Sequence, residues 1–142
     1  MIYLRALGTL QNFDIIYGHF LSHEVSMYRA DGKGKIKVIK TEEKKSDVNI
    51  ATHLLYDAFK DKYDLAVLIS NDSDLSEPLR IITKEMGKKV GILNPQKHIM
   101  SKELAKYALF TKQIRKSSLA DSQFPDELVD KHGTIHKPFE WK

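Results

Sequence analysis

Cysteine is absent from this chain of 142 residues, which removes disulfides and thiolate metal sites and fits a reducing compartment. Long apolar runs are missing as well. None approaches the roughly 18 residues of a membrane span, and the start, Met1-Ile-Tyr-Leu-Arg, lacks the basic region and long apolar core of a signal peptide. The expectation is a cytoplasmic protein with no membrane partner. No internal repeat, low-complexity tract or serine nucleophile elbow is present. Excess charge is small: 23 Lys and Arg face 19 Asp and Glu, a net charge of +4 with a pI near 9.1. That balance favours an anionic partner and leaves RNA, DNA and phosphorylated small molecules open. With 42% hydrophobic residues, the length suits one compact domain around a single core.

What is present is one sharply patterned segment, Leu65-Ala-Val-Leu-Ile-Ser-Asn-Asp-Ser-Asp74. Its apolar half reads as a strand covered on both faces of a parallel sheet. It stops abruptly in two carboxylates spaced two residues apart. Ligands of such sheets sit at the carboxyl ends of the strands. Two acids held close there repel each other unless a divalent cation neutralises them while taking their oxygens as ligands. Asp72 and Asp74 could also simply cap the helix that follows.

The rest of the chain fits around this strand. Residues 2–7 read as the end of a helix closed by Gly8, where φ > 0 is often needed. Residues 13–21 suit a strand, and residues 25–39 suit two more around the turn Asp31-Gly-Lys-Gly34. Residues 46–60 carry a helical stripe of Val48, Ala51, Leu55 and Ala58, with Ser46 or Asp47 as the natural N-cap. A second helix over 75–86 tolerates Pro78 in its first turn and ends at Gly87. Lys89-Val-Gly-Ile-Leu93 is a further strand, 101–107 a further helix, and 109–112 a last strand. Helix, strand, helix, strand is the rhythm of a parallel α/β sheet. From about Lys116 the chain is polar and irregular, and reads as a tail lying over the domain, with Phe139 and Trp141 as packing anchors. His132 and His136 have a His-x3-His spacing, but Gly133 and Pro138 oppose a helical zinc site there.

Three segments together resemble the NYN family of PIN-like domains: Thr41-Glu-Glu-Lys-Lys-Ser-Asp-Val-Asn-Ile-Ala51, Tyr63-Asp-Leu-Ala-Val-Leu-Ile-Ser-Asn-Asp-Ser-Asp-Leu75 and Gly87-Lys-Lys-Val-Gly91. The resemblance covers roughly residues 1–115 and leaves 116–142 as the tail. It implies a three-layer, Rossmann-like α/β fold with a parallel sheet flanked by helices. It also implies an acidic cluster that binds Mg²⁺ or Mn²⁺ and cuts RNA. Asp47, Asp72 and Asp74 fall on the family's acidic positions, and Glu43 on a commonly acidic position before the helix. The usual first strand, with its own Asp, has no counterpart here, so the expected fold is incomplete at its N-terminal side and short of one acid.

The resulting expectation is hydrolysis of RNA, single-stranded by preference, by a water activated on Mg²⁺ or Mn²⁺. Asp72 and Asp74 hold the metal, with Asp47 as ligand or water-positioning acid. Asn71, Glu43, Lys44, Lys45 and Asn49 are the candidate substrate-side residues. Lys44, Lys45, Lys88, Lys89, Lys97, Arg115 and Lys116 are the basic residues expected nearest this rim. An RNA-binding or regulatory module with an incomplete, inactive site is the alternative, and an oligomer is compatible with either. Asp-x-Asp at a strand end also occurs in HAD-like phosphatases, but their nucleophilic Asp sits on the first strand of a longer domain. Here fewer than 70 residues follow the motif.

Overall fold

The structure is a computed structural model that describes residues 2–97 and 99–141. Met1 and Lys142, the outer ends of the two expected units, and His98 lie outside the described residues. The chain opens with α1 (Ile2–Leu7). Gly8 closes it without a positive φ, because the chain continues in tight turns, with Thr9 N–H bonded to Ala6 O and Leu10 N–H to Leu7 O, both at 3.1 Å. The left-handed glycine expected there is therefore not formed.

Strands β1 (His19–Tyr28) and β2 (Lys35–Lys44) make one long antiparallel hairpin, with Gly32 and Gly34 at φ 72° and 92° in its turn. The turn residues were legible, but the separate strand over 13–21 is not observed. Residues 13–17 precede the hairpin without regular structure. Gly18 then passes so close to Lys44 that a Cβ there would lie 2.8 Å from the Lys44 carbonyl oxygen.

Helix α2 (Ser46–Phe59), strand β3 (Leu65–Ile69), a 3₁₀ turn (Ser73–Leu75), helix α3 (Ser76–Arg80), a π-helical turn (Ile81–Glu85), strand β4 (Lys89–Asn94), helix α4 (Lys102–Ala105) and strand β5 (Phe110–Gln113) follow. The three strands form a parallel sheet in the order β3-β4-β5, registered Leu68 to Ile92 and Ile92 to Thr111. Gly87, at φ 68°, ends the helical run as expected. The fold is thus mixed α/β with a parallel sheet and flanking helices.

The core gathers on one face of that sheet. Leu68, Val90 and Ile92 point into a cluster with Ala58 of α2, Leu75, Leu79, Ile82 and Leu104. The leucine, isoleucine and valine side chains buried there each contribute about 1.5–3 kcal/mol of transfer free energy. On the opposite face Leu65, Val67 and Ile69 are 44%, 51% and 58% exposed, so β3 is an edge strand buried on one face only. The apolar run suggested cover on both faces. Strand-forming composition reports the backbone state, whereas cover depends on what packs from elsewhere in the chain.

Residues 116–141 hold α5 (Lys116–Asp121) and a short hairpin of β6 (Glu127–Asp130) and β7 (Gly133–His136). This hairpin packs on α1. Arg5 grips Asp130 with two hydrogen bonds, 2.8 and 2.7 Å, which holds the Asp130 carboxyl at about 2. Tyr3 meets Phe124 and Trp141 edge-on. Trp141 anchors the end of the chain, whereas Phe139 is 87% exposed.

Candidate functional site

The site begins where β3 runs out. Asp72 has extended backbone and acts as the N-cap of the helical run, its Oδ1 accepting the Asp74 N–H at 3.0 Å. Its own N–H donates to Ser70 Oγ at 3.1 Å. Both carboxylates are exposed, at the carboxyl end of a parallel strand, where ligands of such sheets bind. Capping and ligand binding are therefore not alternatives here. One Asp72 oxygen serves the backbone, and the remaining oxygens of the pair face solvent.

Asn71 anchors the wall beside them. Its side-chain amide donates to Ile99 O at 3.2 Å, and its Oδ1 accepts the Ser101 N–H at 2.7 Å. Ser101 in turn caps α4. Asn71 thus fastens the loop after β4 to the end of β3, a structural duty that its type and position alone did not disclose.

The other expected residues cluster at the start of α2. Neither Ser46 nor Asp47 is the cap. The chain turns through Lys45 in the left-handed region, φ 82°, and α2 begins at Ser46, leaving Asp47 exposed in its first turn. Glu43 accepts the Ser46 hydroxyl at 2.7 Å, and Asn49 donates to Tyr17 O at 3.4 Å. Lys44 pairs with Glu42 at 3.2 Å; with Lys40 as the larger influence, these lysines hold the Glu42 carboxyl at about 2. Glu43 thus ties the end of β2 to the start of α2, Asn49 ties α2 to the segment before the hairpin, and Lys44 is engaged within β2. Helix α2 leads into β3 and touches the 3₁₀ turn that follows Asp72. Yet among the described residues no three or more His, Cys, Asp or Glu gather into a group able to hold a metal ion. The convergence of Asp47 with Asp72 and Asp74 into one three-acid cluster is not formed.

The pair that does form has suitable chemistry for a hard cation. It offers carboxylate oxygens only, with no sulfur or imidazole, and Mg²⁺ is commonly held by one or two carboxylates together with waters and substrate phosphates. The fit is to an open site shared with a ligand, not to a closed protein cage.

Two expected cations belong elsewhere. Lys88 bonds Asp61 and Asp64, chiefly through the hydrogen bond to Asp61 that raises its pKa above the ordinary lysine value. Lys89 pairs in register with Leu65. Both therefore lie at the amino end of the strands, away from the acids. Lys97, Arg115 and Lys116 follow strand ends and stay on the carboxyl side. Lys112 on β5 joins them in lining a cleft there, and sequence reading missed it because nothing local marks a strand lysine as cleft-facing. His132 and His136 lie on the β6–β7 hairpin, where His136 Nδ1 is 3.1 Å from Glu127, and not on a helix.

Among the described residues no helix is long and apolar enough to cross a membrane. The chain is 32% identical over 111 residues to a 6-hydroxy-3-succinoylpyridine 3-monooxygenase of Pseudomonas putida. The match covers 75% of this chain, which spans 35% of that relative's length. It also resembles a protein of unknown function from Vibrio parahaemolyticus known from its crystal structure, with 25% identity and a TM-score of 0.45 over 63% of this chain and 49% of that one. The NYN domain pattern matches residues 16–113, a stretch that contains the hairpin, the parallel sheet and both carboxylates, and the chain belongs to the NYN domain family.

Proposed function

We propose that this chain is a metal-dependent ribonuclease that hydrolyses phosphodiester bonds of single-stranded RNA. The observation that carries the reading is the exposed Asp72 and Asp74 pair at the carboxyl end of β3, in a chain of a nuclease-like family. Asp72 and Asp74 would hold Mg²⁺ or Mn²⁺, whose chemistry when bound is to lower the pKa of a coordinated water and to balance charge growing on the phosphate oxygens. The Asp74 N–H fixes the Asp72 carboxylate, so that one acid is oriented before any ligand arrives, which reduces its ordering cost on binding. Asn71 keeps the loop through Ile99 and Ser101 beside the pair and so sets the width of the approach. Glu43 and Asn49 act by placing α2, while Lys44 stays paired with Glu42 on β2. Lys45, which pairs with no carboxylate among the described residues, is free to meet a phosphate, and Asp47 contributes negative charge at the start of α2.

The alternative, an RNA-binding or regulatory module that turns nothing over, draws on one observation, the lack of a third acid beside the pair among the described residues. The test is cleavage of a labelled single-stranded RNA with Mn²⁺ and with EDTA. Cleavage should require the metal and fall at least about a hundredfold in Asp74→Asn, consistent with the loss of one charge-stabilising group, and by less in Asp47→Asn. Binding without cleavage under both conditions would replace the nuclease by the module.

A further inference from the structure

A cleft opens on the same end of the sheet, between the loop after β4, strand β5 and helix α5. It spans about 1150 Å³. Lys97, Lys112, Arg115 and Lys116 line it, and no Asp or Glu does. A smaller hollow shares Lys97 and Lys112 and reaches Ile99 and Met100. None of the four cations is ion-paired with a carboxylate among the described residues, whereas Lys40, Lys44, Lys62, Lys88, Lys106 and Arg80 each are. Four cations without a carboxylate partner among the described residues, of which Lys112 lies 5.7 Å over the Phe110 ring, line one concavity, repel one another and focus a positive field, a cost that an anion relieves.

The cleft is also organised. Asn94, 2% exposed, accepts the Gln96 N–H at 2.9 Å, and Gln113 donates to Gln96 O at 2.8 Å. Residues 94–97 are thereby held against β5, with Lys97 at their end. The loop then runs through Ile99, whose carbonyl is bonded to Asn71, the residue next to Asp72. Acid pair and basic cleft are therefore joined through one fastened loop. Their charges divide the work: the two carboxylates repel a phosphate chain unless a cation lies between, while the cleft attracts it with no metal present.

We propose that this cleft is a phosphodiester-binding groove that seats the nucleic-acid backbone beyond the acid pair, with Lys97, Lys112, Arg115 and Lys116 as its phosphate contacts. The proposal rests on the ribonuclease reading for its ligand, a single-stranded nucleic acid, but not for its chemistry. Leu93 and Leu119 on the lining give bases an apolar surface without a hydrogen-bonding code, so binding is insensitive to sequence.

The experiment is fluorescence anisotropy of a fluorescein-labelled 12-nucleotide oligouridylate in EDTA, repeated over a range of salt. Lys112→Gln/Arg115→Gln should bind about tenfold more weakly, with the slope of log affinity against log salt smaller by about 1.4, roughly 0.7 per lost contact on a single strand. Lys97→Gln alone should show half that slope change, which keeps the test valid if the double variant folds poorly. Lys33→Gln/Lys35→Gln, at the hairpin turn, removes the same charge elsewhere and should change little. Equal losses from the hairpin and cleft variants, or no loss from the cleft variants, would overturn the groove. Equal affinity for polyglutamate would overturn its assignment to nucleic acid. Binding lost only in the cleft variants, with no cleavage by the wild type in Mn²⁺, would leave the groove and remove the nuclease. Cleavage with unchanged binding in the cleft variants would do the reverse.

Discussion

Replacing Asp72 by Asn and by Ala separates its two duties, because only one of them depends on charge. Asn accepts the Asp74 N–H as Asp does and is an equally good N-cap, whereas Ala loses the bond at a cost of about 1 kcal/mol. The lost negative charge at the helix start costs Asn about 0.5 kcal/mol, partly offset by relief of repulsion from Asp74. For a chain of this size about 1 kcal/mol corresponds to about 3 °C in Tm. In EDTA, then, Asp72→Asn should melt within about 2 °C of the wild type, and Asp72→Ala about 3 °C lower. Adding Mn²⁺ at about a hundred times its Kd should stabilise the wild type by about 2.7 kcal/mol through mass action, and both variants far less. Differential scanning fluorimetry with and without metal reads all six values. If the Asn variant gains as much from Mn²⁺ as the wild type, Asp72 is a cap and nothing more. If Asn and Ala fall together in EDTA, the capping geometry is wrong.

Asn71→Ala removes two hydrogen bonds that fasten the loop through Ile99 and Ser101, so it should cost about 1–2 kcal/mol and raise amide exchange at residues 99–104. Gly91→Ala would set a Cβ 2.1 Å from the Phe110 ring; the overpacking should cost about 1–3 kcal/mol, and a double-mutant cycle with Phe110→Ala should recover part of it. Asp130 is held at about 2 by Arg5. Since its folded value lies below the ordinary 3.8, the contact contributes fully above pH about 4 and is lost as pH falls toward 2. Fluorescence of Trp141, the single tryptophan, should report release of the β6–β7 hairpin in that window, and Asp130→Asn should flatten the transition.

Periodic segments were legible to within a residue or two. β3, the helical run to Gly87, β4, β5 and α2 stand where apolar spacing put them, because each buries a stripe in the shared core. The hairpin turn was legible from Gly32 and Gly34, though its strands extend further on both sides. Features set by tertiary neighbours were not. Lys45 as the turn into α2, the exposed face of β3, the Lys88 bond to Asp61, and the short elements after Lys116 have no local signature. Asp72 and Asp74 stood out because two acids closing an apolar strand are costly without a purpose. Asp47 was assigned by family pattern, and the backbone through Lys45 starts α2 without drawing its carboxylate into a shared cluster among the described residues.

Paramagnetic broadening tests the acid pair most directly. Substoichiometric Mn²⁺ added to ¹⁵N-labelled protein should first erase the amide signals of Asn71, Asp72, Ser73 and Asp74, with those of Ile99 and Ser101 close behind, and Asp74→Asn should abolish the effect. If the earliest losses fall instead at Glu42 and Glu43, at Asp57 and Asp61, or evenly over the acidic surface, the carboxyl end of β3 is not the metal site and the proposed chemistry has no centre.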